Sequence, residues 1–444
     1  MISTAGPAFP PSLVRRHVHA LLKPAGATCN LDCKYCFSLS RELLYPGHRL
    51  RMADDLLETY IRQLLESQQG PDVTLAWHGG EPTLMGLDFF RRSIEHVTKH
   101  RRPGTRVAHT IETNGVDVDD HWCEFFRSHN FVVSVTLDGL PEMHDTYRVD
   151  RDGQPTFERV MRAIGLLQKH GVDFNIITTV HAANADHPLE VYGFLRDEVK
   201  TRFIHLRPVV ERVTDFLLPL VSDGWRDHGH DRRPLHLGRG SLVTNRSVTP
   251  EQWGNFLIRI FDEWLAHDVG SVFVQMFDAA VASWIGAPAT MCIFAETCGD
   301  AVSVEHNGDV YSCDHFVEPD HLLGNICRTH LLQIVSSDAQ TQFGAVKRDS
   351  LPRYCRDCAV RFACHGECPK NRFITTPDGE PGLNYLCAGY KAFFTHIDRP
   401  MRLIVDLLRR GQYADEAMAM LTSGRFPFDD RLPVGRRAGA IGPR

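Results

Sequence analysis

A chain of 444 residues with 43% hydrophobic and 23% charged side chains has an ordinary globular composition, long enough for two or three domains and a sizeable core. Its formal charge of −6 excludes a global basic field, so no nucleic acid partner is expected. No apolar run approaches the roughly 20 residues of a membrane helix, and in MISTAGPAFPPSLVRRHVHALLKP the arginines follow the prolines with no long apolar stretch after them; a cytoplasmic protein without a membrane or signal segment is expected.

Residues 1–16 read as a flexible arm. Over 17–211, HVHALLKP, VTLAWH, VAHTIET, FVVSVTL, FNIITTV and FIHLRPV read as six strands, separated by amphipathic stretches such as MADDLLETYIRQLLESQ and FERVMRAIGLLQKHG. Repeated strand–helix units imply an α/β fold with a parallel sheet. Six units suit a partial (β/α)6 barrel of TIM type, and an open doubly wound sheet reads similarly. In either, chemistry collects at the C-terminal strand ends. Residues 212–290 hold a polar insert containing DGWRDHGHDRRPLHLGRG, read as a solvated loop in preference to a lid. A helix from Pro250 to His267 and a short strand, SVFVQMF, follow. The character changes over 291–398, where five of the thirteen cysteines lie between Cys355 and Cys387. Residues 399–444 read as a helix and a disordered basic tail.

Thirteen cysteines in a cytosolic chain argue for metal ligation or catalysis rather than disulfides. ATCNLDCKYCF, after the first strand, spaces Cys29, Cys33 and Cys36 as C-x3-C-x2-C. Three thiolates hold three irons of a [4Fe–4S] cluster and leave the fourth open. Zinc normally takes four ligands, and no fourth Cys or His lies close in this loop. The second strand ends in WHGGEPTL, with Gly79, Gly80 and Glu81. Glycines let backbone approach a ligand closely, although alone the motif is also an ordinary turn. Asn114 in ETNG, and Thr136 and Asp138 in SVTLDG, occupy equivalent ends of the third and fourth strands.

The three-cysteine motif followed by aromatic Phe37 resembles the radical S-adenosylmethionine superfamily, and Gly79-Gly80-Glu81-Pro82 resembles that superfamily's GGEP motif. The resemblance implies S-adenosyl-L-methionine bound through its amino and carboxylate groups to the open iron. One electron then cleaves its sulfonium to a 5′-deoxyadenosyl radical. The electron would come from a low-potential donor of flavodoxin or ferredoxin type. Gly79, Gly80, Glu81 and Asn114 are then expected around the cofactor, with Thr136 on its carboxylate and Arg159 as a further carboxylate partner.

The later cysteines form the pattern Cys298-x9-Gly308-x4-Cys313, then Cys355-x2-Cys358-x5-Cys364-x3-Cys368, then Cys387. This resembles the seven-cysteine SPASM domain of peptide-modifying radical enzymes, and Cys292 adds an eighth thiolate. The resemblance implies two fully ligated [4Fe–4S] clusters, three in all. One takes Cys292, Cys298, Cys313 and Cys368; the other takes Cys355, Cys358, Cys364 and Cys387. Cys123 and Cys327 remain as ordinary buried or partly buried thiols. A zinc ribbon at the C-x2-C half would account for four cysteines and leave the others without a role. A fully ligated cluster has no open iron for substrate and serves to move electrons or shape the site.

Longer stretches, LLKPAGATCNLDCKYCF, WHGGEPTLMGLDFF, CGDAVSVEHNGDVYSCDHF, RYCRDCAVRFACHGECPK and LNYLCAGY, resemble the anaerobic sulfatase-maturating enzymes over about residues 18–398. That resemblance implies oxidation of a cysteine or serine in a C/S-x-P/A-x-R motif of a sulfatase to Cα-formylglycine. It also implies an aspartate base, which QMFD supplies as Asp278. Burial would raise the pKa of such a carboxylate towards working pH; a helix N-cap is the plainer role for the same residue. His78 is a further site candidate, and His315 and His365 are expected to tune clusters rather than ligate them. A SPASM-type enzyme forming thioether crosslinks in another peptide would share every cluster motif, and Asp278 with LNYLCAGY favours sulfatase maturation.

Overall fold

A computed structural model describes residues 18–47, 50–221, 224 and 235–422. The expected arm, the DGWRDHGHDRR stretch apart from Gly224, and the tail from residue 423 lie outside the described residues.

The six expected strands form as β1 (His19–Lys23), β2 (Asp72–Trp77), β3 (Arg106–Thr113), β4 (Phe131–Thr136), β5 (Asp173–Val180) and β6 (Phe203–Pro208). Between them run α1 (Asp54–Glu66), α2 (Leu87–His100), α3 (Asp120–Ser128), α4 (Pro141–Tyr147), α5 (Phe157–His170) and α6 (Pro188–Gly193). All five neighbouring pairs from β1 to β6 are parallel, in chain order. Alternation along the strands sends Leu22, Ile111, Val133, Val135, Ile204 and Leu206 into the helix layer, where they are buried. The opposite face carries Lys23, Glu112, Ser134 and Arg207. The helices answer with apolar stripes at three- and four-residue spacing, as in Leu57, Ile61 and Leu64 of α1.

Beyond β6 come β7 (Arg212–Val213), β8 (Leu242–Val243), α7 (Pro250–His267), β9 (Phe273–Val274), α8 (Gln275–Ile285), β10 (Ala301–Glu305), β11 (Asp309–Tyr311) and β12 (Leu322–Asn325). β9 adds parallel to β6, and β10 adds parallel to β1 with Lys23 opposite Glu305. The result is one ten-stranded sheet, β12-β11-β10-β1-β2-β3-β4-β5-β6-β9. It crosses the expected boundary at residue 291, because the first hairpins of the cysteine-rich part extend the barrel sheet rather than pack apart from it.

Two expectations change. SVFVQMF is strand only at Phe273–Val274, and its second half opens α8. Met276, Phe277, Ala279 and Ala280 are buried there at helical spacing, and the Phe277 ring stands edge-on to Phe261 at 5.2 Å. The arms of the insert are anchored rather than freely solvated. Glu211 and Arg246 form a buried pair at 2.7 Å. Arg212 lies 4.8 Å over the Phe373 ring, and the His236 amide donates to Ser40 Oγ at 3.1 Å. The insert therefore reaches both the segment after the first cysteine motif and the cysteine-rich part.

α7 begins where the sequence indicates, with Pro250 at its first position and a Thr249–Gln252 capping box. It crosses the helix Cys387–His396 at two glycines. A Cβ on Gly254 would lie 2.8 Å from Gly389 Cα, and one on Gly389 would lie 2.2 Å from the Pro250 carbonyl oxygen. Gly389→Ala is expected to cost about 1–3 kcal/mol by overpacking and to lower the thermal midpoint measurably, whereas Gly165→Ala, with open space at its Cβ, should not.

Candidate active site

The cysteine loop follows β1. Turns close it through Gly26 N to Lys23 O (3.0 Å), Thr28 N to Ala25 O (3.0 Å) and Cys36 N to Cys33 O (3.0 Å). Cys29, Cys33 and Cys36 lie close enough that each thiolate would repel the others. Burial is the main cause that pushes all three thiols up, Cys33 to about 12. Desolvated thiols so close together ionise only if metal charge compensates them, so this donor set fits an iron cluster. Among the described residues no three His, Cys, Asp or Glu side chains converge closely enough to hold a single metal ion.

Gly79 and Gly80 make a close approach, but to the cysteine loop itself. A Cβ on Gly80 would lie 2.1 Å from the Thr28 carbonyl oxygen, and one on Gly79, at φ +119°, 2.9 Å from that of Gly26. Gly80 N donates to Gly26 O and Glu81 N to Thr28 O, both at 2.8 Å. The fully buried Glu81 carboxylate ties strand ends together. Its Oε1 accepts from Thr83 N (3.0 Å), Thr83 Oγ1 (2.7 Å) and Thr113 Oγ1 (2.9 Å), and its Oε2 from Asn114 N (2.8 Å). Asn114 Nδ2 reaches Asn30 Oδ1 at 2.7 Å and Cys29 Sγ at 3.6 Å. Thr136, at the end of β4, presents a buried Oγ1 with no hydrogen-bond partner among the described residues. Such an orphan suits a ligand carboxylate. Arg159 is not drawn into this buried set: its half-exposed side chain pairs with Asp150 at 3.4 Å and Asp117 at 3.7 Å.

Two charge networks escape single-sequence reasoning. The polar face of the sheet carries one. Glu112 binds His78 Nε2 at 3.0 Å and Arg207 at 2.8 Å; although burial opposes it, the Arg207 charge and His78 hold this carboxyl well below the usual range. Lys23 binds Glu305 at 3.4 Å and also Asp314, which Arg41 bonds in turn. The other network joins Tyr35, Asp138 and Arg148 beside Cys33. Only the aromatic between the second and third cysteines and the aspartate two residues past Thr136 hinted at it.

The remaining ligand candidates fall into two groups. Cys355, Cys358, Cys364 and Cys387 line one cavity, with Tyr390 and Lys391 in its wall. Cys313 lies within electrostatic reach of Cys292, Cys298 and Cys368, and burial pushes its thiol up to about 12. Buried Lys347 donates to the Cys292 and Ile293 carbonyls at 2.8 Å. His315 Nδ1 is 3.6 Å from Cys368 Sγ, and its ring meets Phe37 edge-on at 6.0 Å. Cys123 is buried, whereas Cys327 is exposed.

Asp278 stands in the first turn of α8, four residues after the N-cap Val274, so it does not cap that helix. It is exposed at the mouth of a groove walled by Trp264, Val272, Phe273, Ile404 and Leu408. Those apolar walls push its carboxyl up to about 6. No residue of the cysteine loop lines this groove.

Residues 24–195 match the Radical SAM superfamily, and residues 292–359 match SPASM, an iron-sulfur cluster-binding domain. The chain is 43% identical to a serine-type anaerobic sulfatase-maturating enzyme of Bacteroides thetaiotaomicron, over 93% of this chain and 97% of that one. It is 29% identical to a cysteine-type anaerobic sulfatase-maturating enzyme of Clostridium novyi, over 84% of this chain and 93% of the other. The solved structure of native anSMEcpe with bound AdoMet and Cp18Cys peptide superposes with a TM-score of 0.74 at 27% identity, covering 88% of this chain and 99% of that one.

Because a Cβ at residue 80 would strike the cysteine loop's backbone, Gly80→Ala is expected to displace that loop. Iron in anaerobically purified protein should fall from about twelve to about eight atoms per chain, with the C-terminal thiol sets still loaded.

Proposed function

Since the chain belongs to the anaerobic sulfatase-maturating enzymes of the radical S-adenosylmethionine superfamily, we propose that its working target is a serine in the C/S-x-P/A-x-R motif of a sulfatase. The family's reaction oxidises a serine or cysteine of a sulfatase to Cα-formylglycine, and this chain is an oxidoreductase of that kind. The serine preference is supported by 43% identity to a relative named serine-type, against 29% to one named cysteine-type. The same relatives favour sulfatase maturation over thioether formation. The observation that carries the chemistry is the trio of desolvated, mutually repelling thiols at Cys29, Cys33 and Cys36, beside the unpartnered Thr136 hydroxyl.

S-adenosylmethionine at a [4Fe–4S] cluster supplies the hydrogen-atom abstraction that protein side chains lack, and the two auxiliary clusters supply an electron acceptor. Cys29, Cys33 and Cys36 would hold the first cluster. Cys292, Cys298, Cys313 and Cys368 would hold the second, and Cys355, Cys358, Cys364 and Cys387 the third. Thr136 Oγ1 would donate to the cofactor carboxylate, and Arg159 would be its further partner only on giving up Asp150 and Asp117. Glu81 would accept from the cofactor ammonium, its Oε2 having a single protein donor, while Gly79, Gly80 and Asn114 fix that strand end against the cysteine loop.

Taking an alcohol to an aldehyde removes one hydrogen atom, one electron and one proton. The proton goes to Asp278. One feature of the structure supports that role: the apolar surroundings of Asp278 raise its carboxyl to about 6. At pH 7 most of it is ionised and able to accept. A cytoplasmic setting keeps the thiols reduced, and a flavodoxin- or ferredoxin-type donor delivers the low-potential electron. The barrel (17–211), insert and linking helices (212–290), auxiliary-cluster part (291–398) and C-terminal part (399–444) divide these tasks.

Asp278→Asn is expected to retain most reductive cleavage of S-adenosylmethionine and to lose at least tenfold in peptide aldehyde, scored together by mass spectrometry; an unchanged aldehyde yield removes Asp278 from the mechanism. In the unmodified enzyme aldehyde formation should fall as pH drops through about 6, where Asp278 becomes protonated, with cofactor cleavage declining less. Competition between SxPxR and CxPxR peptides should favour the serine form; a cysteine preference refutes the target assignment.

A further inference from the structure

One buried cation close to the cysteine loop has no part in the chemistry above. Arg148 follows α4, and its side chain is 8% exposed. Its Nε donates to Asp138 Oδ2 at 2.7 Å, and its Nη2 donates to Thr179 Oγ1 at 3.1 Å. The guanidinium carbon lies 5.5 Å from the centre of the Tyr35 ring, and Tyr35 sits between Cys33 and Cys36. The guanidinium also faces the Cys33 thiol, where its charge is the chief influence opposing the effect of burial.

Asp138 is fully buried behind it. Its Oδ1 accepts from Thr179 N at 2.9 Å, and its Oδ2 from the Tyr35 hydroxyl as well as Arg148. The backbone on either side of Arg148 is stitched to the loop: Lys34 N donates to Tyr147 O at 2.9 Å, and Asp32 N to Val149 O at 2.8 Å. Arg148 is thus fixed in direction, with a positive group towards a ligand sulfur and a negative group farther back.

We propose that Arg148 is a positioning residue that fixes the Cys33 side of the cysteine loop and, with Asp138 behind it, sets the reduction potential of the cluster held there. The inference rests on the reading that Cys29, Cys33 and Cys36 hold a [4Fe–4S] cluster. Reduction adds one negative charge to that cluster. A fixed cation in a poorly solvated site favours the reduced state, and an anion behind it limits the effect. The two residues therefore act with opposite sign, which a purely structural role does not require.

The test is an anaerobic redox titration of the full-length protein with all three clusters. It follows by electron paramagnetic resonance the signal that changes when S-adenosylmethionine is added. Arg148→Met should shift the reduction equilibrium about tenfold towards the oxidised form, a potential about 59 mV more negative for one electron. Asp138→Asn should move it in the opposite direction, and Arg148→Lys should stay near the wild-type value. The auxiliary signals should not move. An unchanged potential in Arg148→Met with the cluster retained, or shifts of the same sign in both charge variants, overturns the proposal. If Arg148→Met loses the cluster, Asp138→Asn decides alone, and a potential that does not rise overturns it. A wild-type protein with no signal responsive to S-adenosylmethionine instead overturns the cofactor reading on which the proposal rests.

Discussion

Thiols taken out of water resist ionising, and thiolates set beside one another resist it more. In the loop after β1 both penalties fall on Cys29, Cys33 and Cys36. A protein gains nothing from such a loop without a metal to offset the charge. Its shape is accordingly over-determined from several directions. Gly79 and Gly80 bring the end of β2 against its backbone, Asn114 reaches Cys29 from the end of β3, and the strand-like segment after α4 binds it from the other side. Because the loop's neighbours are ends of successive parallel strands, the sheet's order decides which residues meet there.

The same sheet joins the two cysteine-rich regions. β10 pairs with β1 along its whole length, so the segment carrying Cys298 and Cys313 is hydrogen-bonded to the strand that launches the first cysteine loop. Lys23 bridges them electrostatically through Glu305 and Asp314, the latter adjacent to Cys313. Phe37 and His315 bring the residues following Cys36 and Cys313 into ring contact. An enzyme that removes a hydrogen atom at one cluster and an electron at another needs a fixed separation between them. A continuous ladder of backbone hydrogen bonds provides it more rigidly than an interface between separate domains.

Local pattern made much of this legible. Short runs rich in β-branched and aromatic residues, with helical stretches between them, predict all six barrel strands, because every second side chain packs into the helix layer. The Pro250–His267 helix announces itself by a proline at its first position and a threonine cap. The beginning of α8 is hidden, since QMF reads as well in a strand as in a helix and only the packing of Phe277 against Phe261 and Phe393 decides between them. The insert reads as solvated from its arginines and histidines, yet Arg246 is buried because Glu211, thirty-five residues earlier in the chain, meets it. Pairs of that kind, like Arg207 with Glu112, come from the fold and leave no local spacing in the chain. Cysteine spacing, by contrast, is legible because loop ligands must converge over short stretches.

Charge in the barrel interior is arranged as pairs rather than as a single field. Glu112 lies between His78 and Arg207, Asp314 between Lys23 and Arg41, and Asp138 between Arg148 and Tyr35. Each of these three carboxylates thus has a cation beside it, which keeps desolvation from neutralising it, whereas the fully buried Glu81 is held by neutral donors. Asp278, exposed at its groove, stands apart from these three: the apolar walls around it raise its carboxyl to about 6. A paired carboxylate holds its charge and serves to orient, whereas a carboxyl raised to about 6, as in Asp278, can take up a proton and pass it on. The distribution of cations therefore separates the carboxylates that stay ionised and orient their neighbours from Asp278, the residue proposed above to take the substrate's proton.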